Sequence, residues 1–478
     1  MSSRQAFFNG LTMKTFALQT EHKKILADTL TPVSAYLKLR DHYPHSLLLE
    51  SSDYHGNNND FSYICCNPIA FIELKNQVLT TQYPDGSQTK ETIDDNTDIP
   101  EKVHQFSRQF ESEKFPFKFI TNGLFGYIAH EAVERFEHLE LNRQKEGQDI
   151  PDLYYAVYQN IIAISLFNHE AHLFSHVFDE EHNLNELEKV LNGKTSAPFH
   201  FEKMGDKRSN LTDEQFLDFV KKGKDHCYRG DVFQLVLSRR FSQNFKGDEF
   251  NVYRTLRSVN PSPYLFFFDY GDFKIFGSSP EAQLVVQEGK AEIHPIAGTF
   301  RRTGDDEKDA AAATALAKDP KENSEHVMLV DLARNDLSRN GSEVLFEKNR
   351  EIQFYSHVIH LVSKVSCAMK EGAKTFRVVA DTFPAGTLSG APKHKALQLI
   401  DRYETTQRTV YGGAIGYMDF HGNFNHAIII RSFLSKNQTL HYQAGAGIVA
   451  DSVPESELQE VYNKLGALDK ALTLAEEL

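Results

Sequence analysis

The sequence predicts an α+β protein built on large antiparallel sheets. Three observations predict it. Strand-like runs follow one another across turn signals at Tyr270-Gly271, His421-Gly422-Asn423 and Lys436-Asn437, as antiparallel neighbours do. Tyr154 to Phe167 and Ala171 to Phe178 face each other across Asn168-His169 as a hairpin. Strands and helices do not alternate in the regular way of a βαβ fold.

Taken in order, Ser46 to Ser51 reads as a short buried strand, followed by a polar loop through Asn57 to Asp60. Phe61 to Leu74 and Gln77 to Tyr83 read as strands around a turn. Asn192 to Asn210 is polar and carries Gly, Ser and Pro, so it reads as a linker dividing the chain into parts 1–205 and 206–478. Thr212 then caps a helix with apolar residues at Phe216, Phe219, Val220 and Cys227, closed by Gly230. A strand from Val232 to Phe241 follows. Further strands are expected at 264–270, 273–277, 283–287 and 291–297, with helices at 305–318 and 322–338. The rest reads as a strand near 352–368, helices at 375–382 and 392–404, strands at 409–419, 424–434 and 439–449, and a last helix at 455–475.

Composition narrows the function. The 478 residues carry 52 Lys and Arg against 66 Asp and Glu, a formal charge of −14. That balance argues against nucleic acid as a main partner, and an anionic substrate must be met by local positive charge. The longest apolar runs are too short to span a membrane, and the N-terminus lacks a signal-peptide pattern. Cys65, Cys66, Cys227 and Cys367 have no metal-type spacing, as expected of reduced thiols in a cytoplasmic protein. There are 36 Phe and 19 Tyr but no Trp.

Three patterns bear on chemistry. Glu322 with Glu325, and Glu457 with Glu460, lie three apart on expected helices, so each pair shares a helix face. Two such helices facing each other would offer the oxygen ligands that Mg²⁺ takes, although solvated acidic faces have the same spacing. Gln443-Ala-Gly-Ala-Gly-Ile448 would let a ligand approach backbone N–H groups, and Ala385 to Lys393 places hydroxyls and glycines just before a helix. A strand bulge and an ordinary cap account for these two equally. Gln234, Arg431 and His360 interrupt or end apolar strands; a buried Arg requires a partner, and His360 taken alone reads as a core histidine.

The ordered segments go further. GDVFQLVLSRRF (230–241), NPSPYLFFF (260–268), GSSPEAQL (277–284), HPIAGTFRR (294–302), EHVMLVDLARNDL (325–337), HVIHLVSKV (357–365), GTLSGAPK (386–393), YGGAIGY (411–417), IIIRS (428–432) and QAGAGIVADSVPESELQEVYNK (443–464) closely resemble the chorismate-using enzymes. Within them the chain is most similar to the anthranilate synthase large subunits. SLLLES (46–51) and GLFGYIAHEAVERFE (123–137) extend the resemblance more loosely toward the N-terminus.

The resemblance implies a four-layer α/β/β/α sandwich and a reaction: chorismate plus ammonia gives anthranilate and pyruvate, the first committed step of tryptophan biosynthesis. It implies Mg²⁺ on Glu325 and Glu460, with Glu322 and Glu457 behind them orienting waters. Glu281 would be the general acid at the C4 oxygen, and His360 would stand near the ring and that oxygen. Tyr411, Arg431 and the amides of Gly445, Ala446 and Gly447 would bind the enolpyruvyl carboxylate. Gln234, Gly298, Thr299 and Thr387 would complete the pocket, with Lys393 as a nearby positive charge. Isochorismate- and salicylate-forming relatives carry a lysine where this chain has Gln234. Aminodeoxychorismate synthases usually carry one where it has Ala297, so external ammonia is the simplest nucleophile. The family usually has arginine where this chain has Phe300, followed by Arg301 and Arg302. No glutaminase motif is present, so a separate glutamine amidotransferase subunit is expected to supply ammonia. Ser51, Pro263, Tyr264 and Leu265 match the family's tryptophan-effector pocket between the two parts of the chain. An aminodeoxychorismate synthase large subunit, or a catalytically dead chorismate or tryptophan sensor, are the alternatives.

Overall fold

The computed structural model describes residues 14–51, 61–194, 199–354 and 358–478. The expected loop at Asn57 to Asp60 lies outside these. Two large sheets organise the chain. The first runs from Glu202–Ser209 through Gln234–Lys246, Thr439–Ile448, Ser432–Lys436, Phe273–Ser279 and Tyr264–Asp269 to Leu47–Glu50. It continues through the first half of Phe61–Lys75 and the second half of Leu153–Ser165 to Glu170–Val177 and Phe16–Leu26. The second sheet uses the other halves of the same two long strands. It extends through Leu124–Ile128, Ala414–Met418, Phe424–Ile428, Ala282–Gln287 and Lys290–Ile293 to Val358–Met369, which is also flanked by Ile296–Arg301 and Gly341–Phe354. These pairings are antiparallel. Where the long strands pass between sheets, their register slips between Pro68 and Ala70, just after Asn67 at φ 59°. A bulge of this kind bends a strand and increases its twist.

Side-chain alternation builds the layers. Leu47, Tyr63, Phe266, Phe268 and Ile275 of the first sheet form one apolar cluster with Phe125, Tyr127, Ile415 and Ala427 of the second. The intervening Phe267 faces the other way, against Tyr36 of the helix Pro32–Leu39 and Phe250 and Tyr253 of the helix Phe250–Val259. On the outside of the second sheet Tyr155 meets Phe376 of Thr375–Thr382 edge-on at 5.7 Å. Two sheets therefore pack face to face with helices outside. Among the described residues no helix is long and apolar enough to cross a membrane.

Five expectations change. The strand expected at 291–297 is two, Lys290–Ile293 and Ile296–Arg301, broken at His294-Pro295, where proline has no N–H to give the ladder. Half of the expected linker is the strand Glu202–Ser209, paired with Gln234–Lys246; its exposed polar face conceals it. The strand expected near 352–368 is two strands, because the edge strand Gly341–Phe354 is largely charged and exposed, even Leu345 and Phe346 facing solvent. The strand expected at 409–419 is only Ala414–Met418. The strand expected at 424–434 breaks at Arg431, which adopts φ 51°.

Candidate active site

That break lies where the chain changes sheets. Phe273–Ser279 belongs to the first sheet and Ala282–Gln287 to the second, so the chain crosses at Pro280-Glu281. It crosses back between Phe424–Ile428 and Ser432–Lys436, at Ile429 to Arg431. The two crossings are stitched together: Ile428 N–H donates to Glu281 O at 3.0 Å, and Ser278 N–H donates to Arg431 O at 3.1 Å. A carboxylic acid and a guanidinium are thus delivered to one seam by backbone geometry.

Glu281 is buried, and burial pushes its carboxyl up to about 8. Thr387 Oγ1 donates to Glu281 Oε1 at 3.1 Å and, with Lys464, opposes that rise. Such a group holds its proton at neutral pH, as a general acid must.

His360 is also buried, and its Nδ1–H donates to Gly298 O at 2.9 Å. Burial lowers its basicity and Arg431 adds to this, so the ring is neutral at pH 7 with its imine nitrogen at Nε2. Gly298 sits at φ 69° in a bulge of Ile296–Arg301. A Cβ there would lie 3.0 Å from Glu322 Oε2, which places that carboxylate against the bulge. The side chains of Ala297, Thr299 and Arg301 lie outside the described residues.

Across the seam, Val236, Leu237 and Ser238 pair with Gly447, Ala446 and Gly445. Gly445 N–H bonds the Tyr411 oxygen, and burial pushes that phenol up to about 12. Gly447 is small because Gln234 lies against it: an added Cβ would meet Gln234 Nε2 at 2.5 Å. Gln234 is buried, and among the described residues its Oε1 has no hydrogen-bond partner. Burial lowers the basicity of Arg431, and Tyr411 and Glu460 oppose this.

Sequence reasoning missed Lys464. Its Nζ donates to Gly445 O at 2.8 Å, pairs with Glu460 at 2.5 Å and acts on Glu281. The legible signal was its place four residues after Glu460 on one helix. Burial works to raise the Glu460 carboxyl, but Lys464, a hydrogen bond with the buried Glu457 and Arg431 bring it below the usual range. Lys393 is no spare charge for a ligand. It is half-buried and spends its donors on Asp336 at 2.7 Å and Thr382 O at 2.8 Å, fastening the helix Pro320–Ser338 to Lys393–Tyr403.

The four glutamates do not form a ready-made cage: among the described residues no group of three or more His, Cys, Asp or Glu side chains is gathered as for a metal ion. The donor chemistry nevertheless fits Mg²⁺, which takes one or two carboxylates and completes its shell with waters and ligand oxygens.

A separate cavity of about 650 Å³ opens between the sheets, lined by Ser51, Pro263, Tyr264 and Leu265 together with Tyr63, Tyr417 and Asn425. All four residues expected of an effector pocket converge there.

The fold and the seam define a class. A family model described as chorismate binding enzyme matches residues 46–470, and the chain belongs to that family. It is 36% identical to anthranilate synthase component 1 of Aquifex aeolicus over 472 residues, 95% of each chain. It is 36% identical to the same component of Bacillus subtilis, covering 94% of this chain and 91% of that one. The solved anthranilate synthase component I of Streptococcus pneumoniae matches with a TM-score of 0.73 at 31% identity, covering 93% of this chain and 98% of the other.

Proposed function

We propose that this chain is an anthranilate synthase component 1, a Mg²⁺-dependent lyase converting chorismate and ammonia to anthranilate, pyruvate and water. The observation that carries the chemistry is Glu281, a buried carboxyl protonated up to about pH 8 at the junction of the two sheets. Ammonia adds at C2 of the ring while the C4–O bond breaks, and Glu281 passes its proton to the departing oxygen. Loss of the C2 proton with cleavage of the enolpyruvyl ether then releases pyruvate and leaves the aromatic ring. Neutral His360, fixed by Gly298 O, orients the C4 hydroxyl. Arg431, Tyr411 and the Gly445 to Gly447 strand hold the enolpyruvyl carboxylate; Thr387 completes the pocket. When bound by Glu325 and Glu460, with Glu322 and Glu457 behind them, Mg²⁺ supplies charge for the ring carboxylate. Gln234 offers no amine to compete with ammonia. A glutamine amidotransferase, component II, supplies that ammonia, and tryptophan inhibits from the Ser51 cavity.

Purified chain given chorismate, Mg²⁺ and ammonium should form blue-fluorescent anthranilate. Accumulation of a non-fluorescent aminated intermediate, or no turnover, would reject the assignment. Glu460→Ala should lose ammonium-dependent activity; unchanged activity would reject the metal site.

A further inference from the structure

A second cavity of about 360 Å³ is lined by Tyr411 together with Arg240, Thr409, Ile430, His441 and Gln443 among others. We propose that it is a binding site for a small monocarboxylate and, resting on the function proposed above, that its occupant in turnover is pyruvate on its way out of the enzyme.

The cavity holds positive charge without its counterpart. Arg240 is 7% exposed, and among the described residues no carboxylate lies within ion-pairing distance of it. Its side chain donates to Gln407 O, while its backbone is clamped on both sides by Asn210 at 2.9 and 3.1 Å. The nearby carboxylates that act on it, Glu146, Glu131 and Glu404, do so at longer range, and Glu404 is already held by Arg408 at 2.6 Å. A buried guanidinium left in this state is costly unless an anion joins it. Thr409 lines the same cavity, and its buried hydroxyl has no partner among the described residues. Thr409 is a β-branched residue at φ 58°, a conformation retained only where surroundings enforce it. A carboxylate entering this cavity would find a charge-assisted donor in Arg240 and a neutral donor in the Thr409 hydroxyl. His441, brought down to about 4 by burial and by Arg240, stays neutral beside them. Tyr411 lines this cavity and also acts on Arg431, and Ile430 precedes Arg431 in the chain, so the cavity adjoins the seam where pyruvate would be released.

The test is product inhibition with pyruvate as the probe, on enzyme already shown to make anthranilate from ammonium. Pyruvate should inhibit without competing with chorismate, and Arg240→Met should weaken that inhibition by about tenfold or more, the scale of one charged hydrogen bond. Thr409→Val guards against a folding artefact: it removes only the unpartnered hydroxyl, so it should keep its thermal stability while weakening pyruvate inhibition. Purely competitive inhibition unchanged in both variants would overturn the proposal, as would no response to pyruvate. If no anthranilate forms, the functional assignment fails instead. Ligand-observed NMR of pyruvate on wild type and Thr409→Val then still decides the cavity: binding weakened in the variant supports it, and absent or equal binding overturns it.

Discussion

At the scale of single residues, Glu281 ties chemistry to stability through one proton. Its carboxyl keeps that proton up to about 8 in the folded chain, against an ordinary value of 4.5. The folded state therefore binds more protons between these values, and stability from this residue is full below the lower one and lost as pH rises through the upper. The first chemical step should fall over the same upper range when rates are compared at equal free ammonia. Glu281→Gln cannot ionise, so it should lose activity by about 10²- to 10⁴-fold, the usual worth of a general acid, yet resist denaturant better than wild type above pH 8. Equal alkaline stability in both proteins would refute the buried proton. Thr387 donates to the Glu281 carboxylate and so eases its ionisation. Thr387→Val should shift the alkaline limb of the rate profile upward; a downward shift would show that the hydrogen bond acts on the neutral acid.

At the scale of elements, the bulge in Ile296–Arg301 positions a carboxylate by leaving room for it. Gly298→Ala would place a methyl group 2.7 Å from Leu316 Cδ1 and 3.0 Å from Glu322 Oε2 on a backbone at φ 69°. Stability should fall by about 1–3 kcal/mol, and half-maximal rate should need more Mg²⁺ because Glu322 is displaced. Gly86→Ala is the control: φ is 77° but nothing lies within 4 Å of the added carbon, so it should lose stability without altering the Mg²⁺ response. The same elements show what was legible in the sequence. A strand buried on both faces, such as Tyr264–Asp269, announces itself by an unbroken apolar and aromatic run. Glu202–Ser209 and Gly341–Phe354 do not, because they are largely exposed and charged, and the ladder rather than side-chain burial holds them. The run Ala427 to Ile430 hid the crossing at Arg431, since apolar residues continue while the strand changes sheets. Glu281 and His360 were legible only through the motifs around them; burial and the seam explain their chemistry, and neither can be read from spacing.

At the scale of the whole molecule, neither part of the chain completes a sheet. Leu47–Glu50 pairs with Tyr264–Asp269 in the first sheet, and Leu124–Ile128 pairs with Ala414–Met418 in the second. Residues 206–478 expressed alone would expose both partner edges and the apolar faces behind them, a condition that favours aggregation. The full chain should therefore unfold in one cooperative transition seen alike by calorimetry and far-UV dichroism; two resolved transitions would contradict this coupling. The Ser51 cavity extends the coupling to a ligand, because Tyr63 and Leu265 come from one sheet and Tyr417 and Asn425 from the other. A ligand bound only there stabilises the native state by RT ln(1 + [L]/Kd), about 2.7 kcal/mol at a hundredfold excess over Kd. Tryptophan should raise the single transition as a whole, and Ser51→Ala should reduce both that rise and the inhibition of anthranilate formation. The chain has no Trp, so indole fluorescence in the titration reports the ligand alone. Inhibition that survives fully in Ser51→Ala, or a rise in only part of the unfolding signal, would separate the effector from this cavity.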